Sequence, residues 1–187
     1  MIDAHSVADV IAAEHAHASE LDSGVLMDRA STGLAAQILR LFTGSIPGTR
    51  VVIAAGSGNN GGDALFAGAR LARRGMRVDA IGTTNRVHVA GLAELRRAGG
   101  RFAVWGSDRS QALVDEADVI IDGLVGIGAA GALRGAAAEM VPILNAAKGI
   151  RVAVDLPSGV DADSGRVLGA AFDADLTVTF GAAKPGH

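Results

Sequence analysis

The stretch from Val51 to Asp63 places the strongest constraint on how this chain can fold. Residues Val51–Ala55 are small and apolar, three of them β-branched, which predicts a short buried strand. The sequence Gly-Ser-Gly then interrupts the strand, Asn-Asn-Gly-Gly predicts a polar turn, and residues Ala64–Arg74 favour a helix. A strand, a glycine-rich turn and a helix in this order present backbone N–H groups to a nucleotide. The stretch therefore predicts a nucleotide-binding α/β protein.

The same stretch argues against an ordinary nicotinamide-dependent dehydrogenase. Its glycines satisfy the spacing of the dinucleotide fingerprint, but that pattern alone is weak. A dehydrogenase places a ribose-binding acid at the end of its second strand, whereas Asp79 lies inside the predicted strand, which ends in Gly-Thr-Thr. Asp63, at the predicted helix start, is interpreted either as a helix cap or as an anion that disfavours a bound pyrophosphate.

Composition supports one α/β domain of 187 residues. Hydrophobic residues make up 49%, Gly is abundant at 26 residues and aromatic residues reach only 3%, which is typical of a parallel sheet covered by closely packed helices. The net charge of -3 is spread along the chain, so we expect neither nucleic-acid nor membrane binding. Cysteine is absent, and no apolar run approaches the ~18 residues that span a bilayer. We expect a soluble cytoplasmic protein.

Predicted strands and helices alternate along the whole chain. The strands cover residues 51–55, 77–81, 102–105, 119–122, 152–155 and 176–180, and the helices cover about 7–20, 26–42, 64–74, 87–97, 111–116 and 134–148, the last interrupted near Pro142. Ser6 and Asp9 have the spacing of a capping box before the first helix. The alternation predicts a doubly wound α/β fold with a largely parallel sheet and two additional N-terminal helices.

Polar side chains follow three of the predicted strands. These are Asn59, Asn60 and Asp63 after the first strand, Asp122 at the end of another, and Asp155 and Ser158 after a third. Each aspartate alone is commonly a cap or a loop anchor, but the carboxyl ends of parallel strands meet at one edge, where ligands bind. Amide, carboxylate and hydroxyl oxygens suit an alkali or alkaline-earth cation rather than zinc, and a remaining carboxylate can act as a general base.

A glycine-rich loop follows Asp122 and runs to Gly131. Such a loop lets the backbone approach a phosphate closely, and its alternative interpretation is a flexible surface loop. Arg134, at the end of this loop, is interpreted as an ordinary residue at a helix start.

These motifs resemble the YjeF N-terminal domain family of NAD(P)H-hydrate epimerases. The resemblance is carried by Gly-Ser-Gly-Asn-Asn-Gly-Gly-Asp, by Asp-Gly-Leu-Val-Gly-Ile-Gly with a later Leu-Arg-Gly, by Asp-Leu-Pro-Ser-Gly-Val-Asp-Ala-Asp-Ser-Gly, and by the tail Thr-Val-Thr-Phe-Gly-Ala-Ala-Lys-Pro-Gly-His. It implies a three-layer αβα Rossmann-like fold and a homodimer paired through N-terminal elements. Ala64 and Leu156 depart from the family pattern, which usually has Gly and Ile there. The family domain continues beyond Lys-Pro-Gly-His, so the resemblance implies that residues 1–187 are one domain truncated at its C-terminal end.

The resemblance also implies an activity in metabolite repair. The family interconverts the R and S epimers at C6 of hydrated NADH and NADPH, so that an ATP- or ADP-dependent dehydratase specific for the S form can use both. That dehydratase is either a partner or a fused domain.

Carried over residue by residue, the family motifs assign a substrate site, a cation site and a base. The residues implied to line the substrate are Asn59, Asn60, Gly61, Gly62, Asp63, Gly126, Ile127, Gly128, Ala129, Ala130, Gly131 and Ala132. Asn60, Asp122 and Ser158 are implied to hold a monovalent cation, K⁺. Asp155 is implied to contact the hydrated nicotinamide and to act as the general base.

A different class of function, a non-catalytic scaffold domain that binds a nucleotide or a protein, is the alternative. Members with that role lack the catalytic residues, whereas Asn60, Asp122, Asp155 and Ser158 are all present here. The intact set favours the enzyme.

Overall fold

The computed structural model describes residues 4–16, 24–129 and 131–187, which form an α/β fold. The helices are α1 (Val7–Ala16), α2 (Val25–Arg40), α3 (Asn59–Arg73), α4 (Val89–Arg97), α5 (Asp108–Asp115) and α6 (Gly135–Ala146). The strands are β1 (Arg50–Ala55), β2 (Arg77–Gly82), β3 (Arg101–Val104), β4 (Val119–Gly123), β5 (Ile150–Val154) and β6 (Leu176–Val178). None of the described helices is long and apolar enough to cross a membrane.

The six strands form one sheet in the order β3-β2-β1-β4-β5-β6, and every pairing is parallel. Strand β1 lies between β2 and β4, with Ala54 opposite Asp122 and Ala55 opposite Gly82 and Gly123. The chain reverses its direction of winding between β1 and β4, which opens a crevice at their carboxyl ends. The doubly wound fold predicted from the sequence is confirmed.

Helices cover both faces of the sheet, because side chains of each buried strand point alternately to its two sides. On one face, Ile53 packs with the fully buried Leu34 of α2 and Leu65 of α3. On the other face, Val52 packs with Met140 and other residues of α6. The two apolar layers give the three-layer αβα arrangement.

Helix α3 begins five residues earlier than predicted, at Asn59, with Gly58 as its N-cap. A Cβ on Gly61 would lie 2.2 Å from the carbonyl oxygen of Gly56, so close packing between these backbones requires glycine and overrides its low helix propensity. Asp63 therefore lies in the second turn, buried, and the prediction that it caps the helix is wrong. The argument that an anion occupies this helix start fails as well.

The predicted interruption of the last helix near Pro142 is wrong. Helix α6 continues through Pro142 without interruption, since the helix spans Gly135–Ala146. Arg134 lies at its N-cap, as expected for a residue at a helix start. The predicted end of α1 near residue 20 lies outside the described residues.

The start of α1 is tied to the C-terminal part of the chain. The Asp9 N–H donates to Ser6 Oγ (3.2 Å), as in a capping box, whereas the Asp9 carboxylate accepts from the Ser6 hydroxyl (2.6 Å) instead of the Ser6 backbone N–H. The Val7 N–H donates to Asp163 Oδ1 (2.8 Å). The His5 N–H donates to the carbonyl of Ala183 (2.8 Å), so the N-terminal segment lies against the tail.

Candidate functional site

The carboxyl ends of β1, β4 and β5 meet around the first turn of α3. Asn60 lies in that turn, and its amide nitrogen Nδ2 donates to the carbonyls of Val154 (2.7 Å) and Val125 (3.2 Å). A Cβ on Gly126 would lie 2.6 Å from Asn60 Oδ1, so the loop after β4 passes close to the other side of the amide. The amide therefore joins the helix to the ends of two strands.

Asp122 and Ser158 form a buried polar pair beside Asn60. Asp122 is fully buried; its Oδ2 accepts from the Ser158 N–H (2.7 Å), and its Oδ1 accepts from Ser158 Oγ (2.7 Å) and the Leu124 N–H (3.2 Å). The Val125 N–H donates to Ser158 Oγ (3.2 Å). Burial raises the pKa of Asp122 to about 6, against the opposing effect of the hydrogen bonds from Ser158 and Leu124.

The donors around Asp122 are neutral, which leaves its charge to be balanced by something else. The Asp122 carboxylate and the Ser158 hydroxyl are hydrogen-bonded to each other. The Asn60 amide joins them through Val125, whose carbonyl accepts from Asn60 Nδ2 and whose N–H donates to Ser158 Oγ. Oxygen ligands of this kind suit a hard, weakly bound cation. Within the described ranges, no group of three or more His, Cys, Asp or Glu side chains is placed to hold a metal ion.

Asp155 follows β5 directly and has an unusual backbone conformation. Its φ of 66° is the one positive value among the non-glycine residues that the structure describes. Its N–H donates to the carbonyl of Val178 (2.8 Å), and its own carbonyl is 2.7 Å from His187 Nε2. An aspartate tolerates this left-handed region better than most residues, and the surrounding contacts hold it there.

The Asp155 carboxylate is anchored through one of its two oxygens. Oδ1 accepts from the Thr179 hydroxyl (3.1 Å) and the Phe180 N–H (3.1 Å), and it forms an ion pair with Lys184 Nζ. Oδ2 accepts no hydrogen bond from the described part of the chain. One oxygen thus fixes the side chain and the other stays available to a ligand.

Sequence reasoning did not assign a role to Thr179, Lys184 or His187. The tail motif that contains them supported the resemblance, but nothing in its spacing shows that it folds back onto Asp155. The signal that the sequence did contain is the scarcity of lysine, since Lys184 is one of only two in the chain. The structure shows that this lysine is buried.

A shallow groove runs beside this site, between the glycine-rich loop and the segment after Asp155. Its lining includes Val125, Gly126, Ala129, Gly131, Leu133, Leu156, Pro157, Gly159, Val160, Asp161, Arg166 and Leu168. Ile127, Gly128 and Ala132 lie in the same loop, whereas the predicted residue Ala130 lies outside the described residues. Three of the loop residues predicted to bind substrate, Gly126, Ala129 and Gly131, therefore line an open groove.

The residues at the start of α3, from Asn59 to Asp63, divide into exposed and packed ones. Asn59 is exposed, whereas Gly61, Gly62 and Asp63 are buried. A Cβ on Gly62 would lie 2.9 Å from the His88 ring and 3.0 Å from Met27 Cε. Gly61 and Gly62 thus allow close packing, and Asn59 and Asn60 supply the polar side chains.

Asp79 lies inside β2, as the sequence predicted, and its carboxylate is paired with two arginines. Arg101 donates to both oxygens (2.8 and 2.7 Å), and Arg109 adds a contact at 3.3 Å. The carboxylate is buried three residues before the strand ends at Gly82. Its position and partners do not fit a ribose-binding acid.

An all-parallel, doubly wound sheet with a polar cluster at the switch between β1 and β4 defines an α/β protein of the Rossmann-like class. Within that class, the chain belongs to the family of the YjeF-related protein N-terminus, whose model matches residues 23–186.

Two relatives illustrate the range of this family. The bifunctional NAD(P)H-hydrate repair enzyme Nnr of Mycobacterium leprae is 44% identical over 187 residues, which cover 98% of this chain and 38% of that protein. The NAD(P)H-hydrate epimerase of Clavibacter michiganensis subsp. michiganensis is 41% identical over 196 residues, which cover 98% of this chain and 82% of that protein. The chain thus spans little more than a third of the bifunctional relative.

A solved structure shares the fold. The crystal structure of yeast ynu0 superimposes with a TM-score of 0.77, covering 86% of this chain and 72% of that protein. The two sequences are 22% identical, so the similarity concerns the fold.

Proposed function

We propose that this chain is an NAD(P)H-hydrate epimerase domain, which interconverts the R and S forms of hydrated NADH and NADPH. The Clavibacter relative, which carries that activity in its name, is 41% identical over 98% of this chain. The observation that carries the proposal is the carboxylate of Asp155, anchored through Oδ1 with Oδ2 available, at the edge where Rossmann-like proteins bind nucleotides.

In this proposal Asp155 is the general base. Inversion at C6, which carries the hydroxyl and is bonded to ring nitrogen N1, can proceed by ring opening. The hydroxyl loses its proton and becomes an aldehyde as the C6–N1 bond breaks and its electron pair goes to N1; after rotation of the aldehyde, N1 re-forms the bond on the opposite face and the oxygen regains the proton. Oδ2 accepts this proton and returns it, so the carboxylate ends unchanged. No hydride moves, which agrees with a chain whose Asp79 is not placed to bind a ribose.

The substrate is a dinucleotide, and two elements beside Asp155 are suited to its other parts. The first turn of α3, at Asn59 and Asn60, offers backbone N–H groups that have no partner within the helix and can bind a phosphate. The groove beside Gly126, Ala129 and Gly131 offers apolar side chains together with Asp161 and Arg166. We propose that the diphosphate lies at the helix start and an extended part of the substrate along the groove.

We propose that Asn60, Asp122 and Ser158 hold K⁺. The fully buried Asp122 accepts only from neutral donors, and a monovalent cation would balance its charge while leaving the oxygen network intact. When bound, the ion supplies a fixed positive charge and orders the loops after β4 and β5 next to the substrate.

The proposed reaction feeds a second enzyme. The S form is consumed by an ATP- or ADP-dependent dehydratase, and the bifunctional name of the Mycobacterium leprae relative supports a fused or partner enzyme of that kind. We also propose a homodimer paired through the N-terminal elements, which the family resemblance implies, and a cytoplasmic location, which we expect from the sequence.

The proposal is tested by incubating the purified protein with the R form of hydrated NADH and separating the two epimers by chromatography. The expected result is rapid approach to the R/S equilibrium in potassium buffer, slower approach in choline buffer, and the uncatalysed rate without protein. Binding of the hydrate without any acceleration would overturn the proposal and support the scaffold alternative. Hydrated NADPH, run in parallel, measures the preference between the two substrates.

A further inference from the structure

We propose that Lys184 is the positioning residue of Asp155: its ammonium group fixes Oδ1 so that Oδ2 points at the substrate. The inference rests on the proposed epimerase function, because it assigns the geometry of the same reaction. Lys184 is separated from Asp155 by 29 residues, and only the folded tail brings the two side chains together.

The surroundings of Lys184 exclude a role as a proton donor to the substrate. The residue is only 2% exposed, and its ammonium group has three N–H donors. These donors are used by Asp155 Oδ1, by Thr179 Oγ1 (3.1 Å) and by the Phe180 carbonyl (3.0 Å). Donation to a ligand would break one of these buried bonds, so the group acts through Asp155.

The C-terminal tail, residues 177–187, also positions Lys184 relative to Asp155. The Lys184 N–H donates to His187 Nδ1 (2.9 Å), which places the proton of a neutral His187 ring on Nε2. Nε2 then donates to the carbonyl of Asp155 (2.7 Å). The tail therefore contacts Asp155 through backbone, imidazole and ammonium groups, and these contacts hold its positive φ in place.

Without hydrogen-bond partners, an aspartate side chain at the end of a strand would sample several rotamers. With Oδ1 bound by Lys184, Thr179 Oγ1 and the Phe180 N–H, rotation of the carboxylate breaks three hydrogen bonds at once. Misplacement of a reacting group by about 1 Å costs about 10²-fold in rate. A loss of Lys184 is thus expected to lower kcat while leaving the groove, and hence KM, nearly unchanged.

The test compares Lys184→Met and Lys184→Gln with Lys148→Met. Lys148 is the other lysine of the chain and is exposed, so the same substitution there controls for loss of charge and length. We expect kcat to fall by about 10²-fold in Lys184→Met, by less in Lys184→Gln because its amide still donates to Oδ1, and not in Lys148→Met. KM is expected to stay within about threefold, which is the pattern of a lost transition-state interaction.

Several outcomes would overturn the inference. They are an unchanged kcat in a folded Lys184→Met or Lys184→Gln protein, or a rise in KM with kcat preserved. If Lys184→Met does not fold, Lys184→Gln carries the test, because its amide keeps a hydrogen bond to Oδ1 while the ammonium group is lost. Thr179→Val, which leaves the Lys184–Asp155 ion pair in place, shows whether Oδ1 has to be held by its other donors as well. An inactive wild-type protein would instead overturn the proposed function, whereas an active wild type with equally active variants would overturn only the role of Lys184.

Discussion

Asp122 and Asp155 occupy nearly the same place at the ends of adjacent parallel strands, yet the fold treats them differently. Asp122 is fully buried, and both of its oxygens accept from neutral groups of the two loops. Asp155 is paired with a buried cation, adopts φ 66° and keeps one oxygen without a described partner. The comparison shows that a position at the sheet edge does not by itself decide the role of a carboxylate. Its role depends on whether a cation is paired with it and whether one of its oxygens is available to a ligand.

Asp155→Asn is expected to have the largest effect on activity. The amide cannot accept a proton at the position of Oδ2, and general-base catalysis commonly contributes about 10²–10⁴-fold, so kcat should fall by that amount. Stability should fall too, because Lys184 stays buried without its anion. Steady-state epimerisation and thermal melts measure both.

Asp173→Asn is the matched control for that variant. Its carboxylate is largely exposed and is 3.2 Å from Arg151 at the surface. Full turnover in Asp155→Asn, or an equal loss in Asp173→Asn, would remove Asp155 as the base.

The next largest effect should come from the ionisation of Asp122, which makes the free energy of unfolding depend on pH. Its pKa rises from 3.8 in the unfolded chain to about 6 in the folded protein, so the folded state binds the proton more tightly. The free energy of unfolding should therefore decrease as pH rises from about 4 to about 6, by about 3 kcal/mol in total. Asp122→Asn should lack this decrease.

Melting curves from pH 4 to 7 in choline buffer test this expectation, with the wild type and Asp122→Asn compared at each pH. A cation bound beside Asp122 favours its ionised form, so potassium should flatten the wild-type curve and leave the variant unaffected. Parallel curves for the two proteins in choline buffer would contradict the assignment. A potassium effect of equal size in both would contradict the cation site.

The sequence was sufficient for the strands and for the two carboxylates. Val51–Ala55 is a continuous apolar run, and two more apolar strands carry Asp122 and Asp155 at their ends, so the alternating pattern placed both at one edge. The start of α3 was predicted wrongly because the Gly61-Gly62 pair has the local chemistry of a turn. Tertiary packing decided otherwise, through the close approach of Gly61 to Gly56.

The partners of Asp155 were beyond sequence reasoning for a physical reason. Lys184 and His187 lie in a tail with little regular structure, so no periodicity fixes the direction of their side chains. Their contacts depend on hydrogen bonds that form only after the tail has folded back, such as the one from the Lys184 N–H to His187 Nδ1. The partners of side chains in an irregular segment are set by the assembled fold, so the local sequence pattern does not predict them.

A smaller effect is expected from Gly126→Ala, which perturbs the Asp122 side of the site without touching a carboxylate. The new Cβ would lie 2.6 Å from Asn60 Oδ1, so the amide or the loop must shift, at a cost of about 1–3 kcal/mol. Gly128→Ala is the control for stability, because a Cβ there has open space around it. Chemical denaturation compares the two, and equal stabilities would show that the loop adapts freely.

The smallest effects should come from removing one hydroxyl beside Asp122 or one hydroxyl beside Asp155. Ser158→Ala removes the hydroxyl that donates to Asp122 Oδ1 and accepts from the Val125 N–H, at a cost of about 1–3 kcal/mol. Thr179→Val removes one of the donors to Asp155 Oδ1, at about 1 kcal/mol. Despite these similar costs, the kinetic signatures should differ.

Ser158→Ala should raise the potassium concentration needed for half-maximal activity and recover near-normal kcat when potassium is saturating. Thr179→Val should lower kcat by a few-fold at every potassium concentration, because the orientation of Asp155 does not depend on the ion. Potassium titrations of kcat for both variants make the distinction. If both variants lost kcat in the same potassium-dependent way, the two carboxylates would form one coupled site, and separate roles for a cation ligand and a base could not be maintained.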